Sequence, residues 1–414
     1  MQATDKTKKK RRVNVRTPEI MSHVQTEVEA HYRSHIVERF RQSGGRYTIE
    51  NTTVLLAKEF GFCYGVERAI DLAYATRQVF PNRKVYLIGE IIHNPEVNKQ
   101  LQIMGIMNLA GDNPDATISD LTEDDIVIVP AFGAEIALMD QIERKGCQIV
   151  DTTCGDVMRV WKRVRNYAKE DFTAIIHGKA DHEETRATAS RATDDLGGHY
   201  LVILTIEDCE YVCDYIREGG DKRNFMQKFS NAFSPGFDPD RHLKKIGVAN
   251  QTTMLKGETE EIQKKLYEAI RYRDGESAKE NFQFFDTICG ATQERQDALY
   301  EMLKLEMDLL LVVGGYNSSN TTHLVEIGEE KIPSFFIRNA ECLASFEQIV
   351  HFDLSDKKEK TTYSGNFFNT SLPITVGITA GASCPNNLIE ETILRIFELR
   401  EHDISELKSL DTIA

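Results

Sequence analysis

One arrangement recurs three times along the chain: an apolar strand, a cysteine, then a helix. Val54-Leu55-Leu56-Ala57 leads to Gly61-Phe62-Cys63-Tyr64-Gly65-Val66. Gln148-Ile149-Val150 leads to Asp151-Thr152-Thr153-Cys154-Gly155, and Phe282-Gln283-Phe284-Phe285 leads to Asp286-Thr287-Ile288-Cys289-Gly290. Each cysteine falls where a strand ends and a helix begins. The helix N-terminus and nearby amides favour a thiolate at such a corner. A single cysteine in a tight turn is ordinarily just a small buried side chain. The repeated Asp-Thr-x-Cys-Gly wording shifts the balance toward three thiolates meeting at one iron–sulfur cluster, with three protein ligands and one iron left open.

The rest of the chain keeps the same rhythm after residue 52. Val85–Ile88, Asp125–Val129, Phe172–Ile176, Leu201–Leu204, Ile246–Ala249, Leu309–Val313, Pro333–Ile337 and Ile374–Ile378 read as buried strands separated by helical stretches. Apolar runs alternating with helices predict an α/β fold with mainly parallel sheets covered on both faces. Ligands bind such sheets outside the carboxyl ends of the strands, and the unusual polar residues lie at those ends. Two segments break the rhythm and read as surface excursions: 214–245, rich in Gly and Pro, and 353–373, a charged stretch followed by a Thr/Ser/Asn-rich loop.

Composition narrows the class. With 414 residues the chain can hold two or three domains. A net charge of −15 argues against nucleic acid as a partner, and no apolar run approaches the roughly 20 residues of a membrane helix. Eight cysteines in so long a chain are no disulfide framework and suit a reducing, cytoplasmic setting. The run Lys8-Lys9-Lys10-Arg11-Arg12 has no apolar segment behind it, so it is not a secretory signal, and the acidic residues around it argue against a transit peptide. Residues 19–42 mix apolar and charged side chains without a breaker and can form a helix.

The loops Gly314–Asn320 and Gly381–Ser383 follow buried strands and precede helices. Glycines admit a ligand close to the backbone, while Ser318, Ser319, Asn320 and Ser383 offer neutral donors beside helix N-termini, which suits a phosphate or diphosphate as well as ordinary capping. Neither loop has the spacing of a dinucleotide or triphosphate motif. His93, His182, Glu184 and Thr252 follow other strand ends. An imidazole beside a carboxylic acid makes His182 and Glu184 a plausible proton-delivering pair, with Thr252 placed to orient or relay. Cys147, Cys209, Cys213 and Cys342 have no site context, and the spacing of Cys209 and Cys213 fits packing. Cys384, beside Ser383, is a candidate fourth cluster ligand.

Eight ordered motifs give this chain a resemblance to the LytB-type 4-hydroxy-3-methylbut-2-enyl diphosphate reductases over roughly residues 52–400. They are Gly61–Val66, Ile92–Pro95, Asp151–Cys154, His182–Thr185, Asn250–Thr253, Cys289–Gln293, Asn317–Asn320 and Thr379–Ser383. The long insertions and Gln251–Glu258 resemble the plant and cyanobacterial branch. The resemblance implies three similar α/β domains with mainly parallel sheets around a central 4Fe–4S cluster, with Cys63, Cys154 and Cys289 as its ligands. His93, His182, Thr252, Ser318, Ser319, Asn320 and Ser383 match substrate-binding positions, and Glu184 matches the proton-delivering acid. Phe132 stands where shorter bacterial forms carry a histidine, which removes one phosphate contact.

The implied layout is an N-terminal basic extension over 1–52, partly disordered, and a first domain over 53–146 carrying Cys63 and His93. A second domain over 147–284 carries Cys154, His182, Glu184 and Thr252. A third over 285–400 carries Cys289 and the phosphate loops, and 401–414 form a tail. The implied reaction is reductive dehydroxylation of the allylic diphosphate to isopentenyl and dimethylallyl diphosphate, the last step of the non-mevalonate isoprenoid pathway, with electrons from ferredoxin or flavodoxin. Two rivals stand beside it. A non-catalytic iron–sulfur carrier or redox sensor would need every iron capped, with Cys384 as fourth ligand. A zinc hydrolase would be colourless.

Overall fold

Three β-sheets carry the apolar runs. The computed structural model describes residues 13–110, 114–193, 197–285, 287–363 and 367–409; the basic run 8–12 and Asp286 lie outside them. The first sheet is wholly parallel, in the order Ile106–Asn108, Val85–Leu87, Ile126–Val129, Gln148–Asp151. The second, also parallel, runs Phe282–Phe284, Ile246–Asn250, Thr173–His177, Tyr200–Ile203. The third has eight strands. Its centre is parallel, with Thr52–Leu56, Ile374–Ala380, Leu309–Val313 and Ser334–Ile337 side by side. Antiparallel strands close both edges. The all-Leu/Val strand Leu309–Val313 is buried on both faces, as a central parallel strand must be.

Each cysteine lies where the chain leaves one sheet for the next. The strand before Cys63 belongs to the third sheet, but the helix after it, Tyr64–Val79, packs Ala69, Ile70 and Ala73 into the core of the first. The strand before Cys154 closes the first sheet, and the helix Gly155–Lys169 buries Val160, Val164 and Tyr167 against the second. The strand before Cys289 closes the second sheet, and the helix Gly290–Met302 sends Ala298, Leu299 and Met302 into the third core. Divisions at 53 and 147 therefore misassign Thr52–Leu56 and Gln148–Asp151. An apolar run specifies a strand but not its partner, and the pairing Thr52↔Ile374 spans most of the chain.

The N-terminal extension is not simply a tail. The helix Pro18–Tyr32, capped by Thr17, lies on the helix Tyr64–Val79 with Val24 buried. The helix His35–Gln42 places Ile36, Val37 and Phe40 in the third core. Each such side chain contributes about 1.5–3 kcal/mol. Deleting residues 1–44 is therefore expected to lower the unfolding midpoint by at least about 5 °C; an unchanged midpoint in scanning calorimetry would show that these helices contribute nothing. At the other end Leu407 reaches the third core, and within the excursion 353–373 the segment Lys358–Tyr363 pairs as a strand with Gln348–Asp353.

Candidate active site

All three cysteines N-cap their helices with extended backbone. Each cysteine N–H donates to a carbonyl two residues beyond the neighbouring strand of the sheet it leaves: Cys63 to Ala382 at 3.2 Å, Cys154 to Ala131 at 2.8 Å, Cys289 to Thr252 at 3.1 Å. The repeated bond sets the three corners equivalently. Cys63, Cys154 and Cys289 line one cavity. A Cβ built on Gly65 would lie 2.6 Å from the Cys154 Sγ and 3.9 Å from the Cys63 Sγ, so only glycine admits both sulfurs there.

Three arginines, missed in the sequence, brace these turns. Arg68, on the helix after Cys63, donates to the Thr152 and Thr153 carbonyls before Cys154, at 3.1 and 3.2 Å. Arg163, on the helix after Cys154, lies 3.3 Å from the Phe285 ring centroid, just before Cys289. Arg295, buried on the helix after Cys289, donates to the Gly61 carbonyl at 2.6 Å and to that of Phe62 at 3.2 Å, before Cys63. The signal was an arginine within the first turns of each cysteine helix. Thr292, also unremarked, bonds the Cys289 sulfur through its hydroxyl at 2.9 Å and its amide at 3.3 Å.

At two of the corners burial opposes the expected thiolate. Burial pushes the Cys289 thiol up to about 12 and raises that of Cys154, outweighing the helix N-termini. A metal bound here must displace protons.

In the same cavity, Glu184 is buried and pinned by Thr252, whose amide donates to Oε1 at 2.6 Å and whose hydroxyl donates to Oε2 at 3.0 Å. Burial nevertheless lifts its carboxyl to about 7. The Glu184 amide donates to His182 Nδ1 at 3.1 Å, which leaves the imidazole proton on Nε2. Burial, then the neighbouring His93, hold His182 well below its ordinary value, hence neutral. His93 Nδ1 meets the Glu90 carboxylate at 2.9 Å. Phe132 stacks on the His93 ring at 4.7 Å between centroids, so it shapes the wall where it supplies no donor.

Ser318 caps the helix Ser319–Glu329, and Ser383 donates to the His93 carbonyl at 3.2 Å. Asn320 accepts from the Ala382 amide at 2.9 Å, which leaves its Nδ2 free. His93 Nε2, His182 Nε2, Ser319 Oγ and Asn320 Nδ2 are all buried without a hydrogen-bond partner and belong to residues lining the cavity. Buried polar atoms are rarely left so; together with a helix N-terminus they make an anion-binding wall. Every candidate residue from the sequence except Cys384 thus lines one cavity. A further donor set, His93, His182 and Glu183, has ligand atoms within 4.8 Å of one another; the two histidines line this cavity.

Cys384 does not join them. It is buried in the third core and does not line the cavity. Cys209 and Cys213 are core residues of the second sheet, with sulfurs 3.9 Å apart. Cys384→Ala is expected to leave iron content unchanged; loss of iron would revive the fully capped carrier.

The fold and site define a class: three sheets exchanging strands and helices around three cysteines, facing a buried acid and an anion pocket. The LytB protein family model matches residues 54–397, and the chain belongs to that family. The 4-hydroxy-3-methylbut-2-enyl diphosphate reductase of Thermosynechococcus vestitus is 46% identical over 379 residues, covering 91% of this chain and 92% of that one. That of Gloeobacter violaceus is 46% identical over 387 residues, covering 92% and 91%. The solved E-1-hydroxy-2-methyl-but-2-enyl-4-diphosphate reductase of Plasmodium falciparum superposes with a TM-score of 0.60 at 22% identity, over 84% of this chain and 90% of that one, and supports the α/β fold. No helix among the described residues is long and apolar enough to cross a membrane.

Proposed function

We propose that this chain reduces 4-hydroxy-3-methylbut-2-enyl diphosphate to isopentenyl and dimethylallyl diphosphate, the terminal step of the non-mevalonate pathway, using a 4Fe–4S cluster held by Cys63, Cys154 and Cys289. The family is one of iron–sulfur enzymes. The observation that carries the reading is one cavity lined by three thiols, by a carboxylic acid lifted to about 7, and by four buried polar atoms without a hydrogen-bond partner. The fit to a cluster rests on the thiol donor set and on the space that Gly65 leaves beside two sulfurs. Such a cluster, when bound, supplies one-electron steps and an open Lewis-acidic iron.

The chain's own residues do the rest. Ser319, Asn320 and His182 donate to the diphosphate, and Ser318 and Ser383 complete its cradle. His93, held by the Glu90 carboxylate at Nδ1, forms the neighbouring wall of the pocket. Glu184, oriented by Thr252, gives its proton to the departing hydroxyl oxygen. The balance is two electrons and two protons: the allylic C–O bond breaks, water leaves, and the second proton adds to carbon. Electrons arrive singly from a ferredoxin- or flavodoxin-type donor. Anaerobic assay of the iron-loaded protein with the allylic diphosphate and a strong one-electron reductant is expected to yield both products; a brown, iron-replete protein that leaves the substrate intact would refute the assignment.

A further inference from the structure

We propose that the exposed stripe of the helix Gly155–Lys169, with the apolar rim of Tyr64, Phe284 and Phe285, is the docking face for an acidic one-electron carrier protein. This rests on reading the cysteine site as a redox centre, and it gives the donor a place.

The two sides of the centre differ in cover. The substrate side is walled by the half-buried His93 and His182 and by buried serine and asparagine side chains. On the cysteine side the residue after each ligand is exposed: Tyr64, at 75%, Gly155 and Gly290. A Cβ built on Gly155 or Gly290 meets no atom within 4 Å. Only a thin layer of protein separates the thiols from solvent there. Electron transfer falls steeply with distance, so this is where a donor must sit.

The adjoining surface has the charge to receive one. The exposed residues of the helix that starts at Cys154 are Gly155, Met158, Arg159, Lys162, Arg165 and Lys169, at the spacing of a single helical face. Four are basic; the acids beside them are Asp156, paired with Arg159 at 2.6 Å, and Glu170 at the end of the helix, which accepts from Gln283 at 2.8 Å. Arg163, on the flank, stacks over Phe285 and joins the stripe to the rim beside Cys289. The chain as a whole carries −15. An acidic carrier is repelled elsewhere and drawn to this stripe, which fixes its orientation over the cysteines. Met158, at 43% exposure, and Phe284, at 56%, supply the small apolar contact that weak electron-transfer encounters use.

The test is the double variant Arg159→Glu/Lys162→Glu of the iron-loaded protein, titrated calorimetrically with an oxidised acidic [2Fe–2S] ferredoxin at low ionic strength and again with added salt. The wild type should bind, more weakly in salt, and the double variant should bind at least about tenfold more weakly. KM for the reduced ferredoxin should rise, while turnover driven by a reduced viologen stays at the wild-type value. The charge-preserving Arg159→Lys/Lys162→Arg should behave as wild type. Unchanged ferredoxin binding by the double variant would overturn the proposal. So would equal loss of viologen-driven turnover, or sedimentation showing the face covered by a second copy of the chain. Absence of viologen-driven turnover in the wild type would instead refute the enzymatic reading, and the binding isotherms would still decide the docking face.

Discussion

Glu184→Gln is expected to lower turnover about 10²–10⁴-fold, the range a positioned general acid contributes, while iron content and substrate binding stay near wild type. The amide keeps the shape and can still accept from the Thr252 backbone, so the lost proton is the main change. The wild-type rate should be highest where the carboxyl is protonated and should fall as pH rises through about 7; the residual rate of the variant should lack that limb. Stability shows the same sign. The folded state holds this proton at pH values where the unfolded chain, with an ordinary carboxyl, releases it. The stabilisation from that proton is full below the ordinary carboxylate range and is lost as pH rises toward 7. Glu184→Gln should therefore be more stable than wild type at pH 8. A variant with full turnover, or a wild-type profile flat across pH 7, would remove Glu184 from the chemistry.

Serine at Cys63, Cys154 or Cys289 is expected to strip the protein of iron and of activity together. Loss of an outer residue at a metal site costs about 10–100-fold in affinity, and a direct ligand should cost more. The three variants should be alike, because the three thiols have equivalent backbone anchors and share one cavity. Iron and sulfide analysis beside the visible spectrum reads the outcome. Full retention of the chromophore in any one variant would mean that its thiol is not a ligand. The metal-free protein gives an independent check: burial holds Cys289 as a thiol, so its alkylation at pH 8 should be slow compared with that of a free cysteine.

What the sequence revealed was local. Strands were legible because apolar runs such as Leu309–Val313 are short and bounded by turn residues. The cysteine corners were legible because the same words recur. The pocket residues were legible because they stand at strand ends, and strand ends of parallel sheets face one way. Sheet membership was hidden: nothing in Thr52–Leu56 announces that its partner is Ile374–Ile378. The packing of residues 13–49 was hidden too, because the charged stretch 19–42 obscures the short apolar stripe Ile36, Val37 and Phe40. The bracing arginines were easily passed over: their place in each cysteine helix is legible, but Arg68 and Arg295 bond backbone carbonyls that any sequence would offer. The burial that raises the Cys154 and Cys289 thiols was hidden, because a helix terminus is legible and desolvation is not.

The exchange of elements at each cysteine bears on how the protein is made. During synthesis Cys63 leaves the ribosome early, yet the strand before it stays unpaired on its inner edge until Ile374–Ala380 has been translated. Its amide then finds its carbonyl only in Ala382. The first two sheets can close as they emerge, but the corner that completes the trio waits for nearly the last stretch of polypeptide. Metal loading is thereby postponed until the chain is almost finished, and a message truncated before that strand yields a product with no complete binding centre.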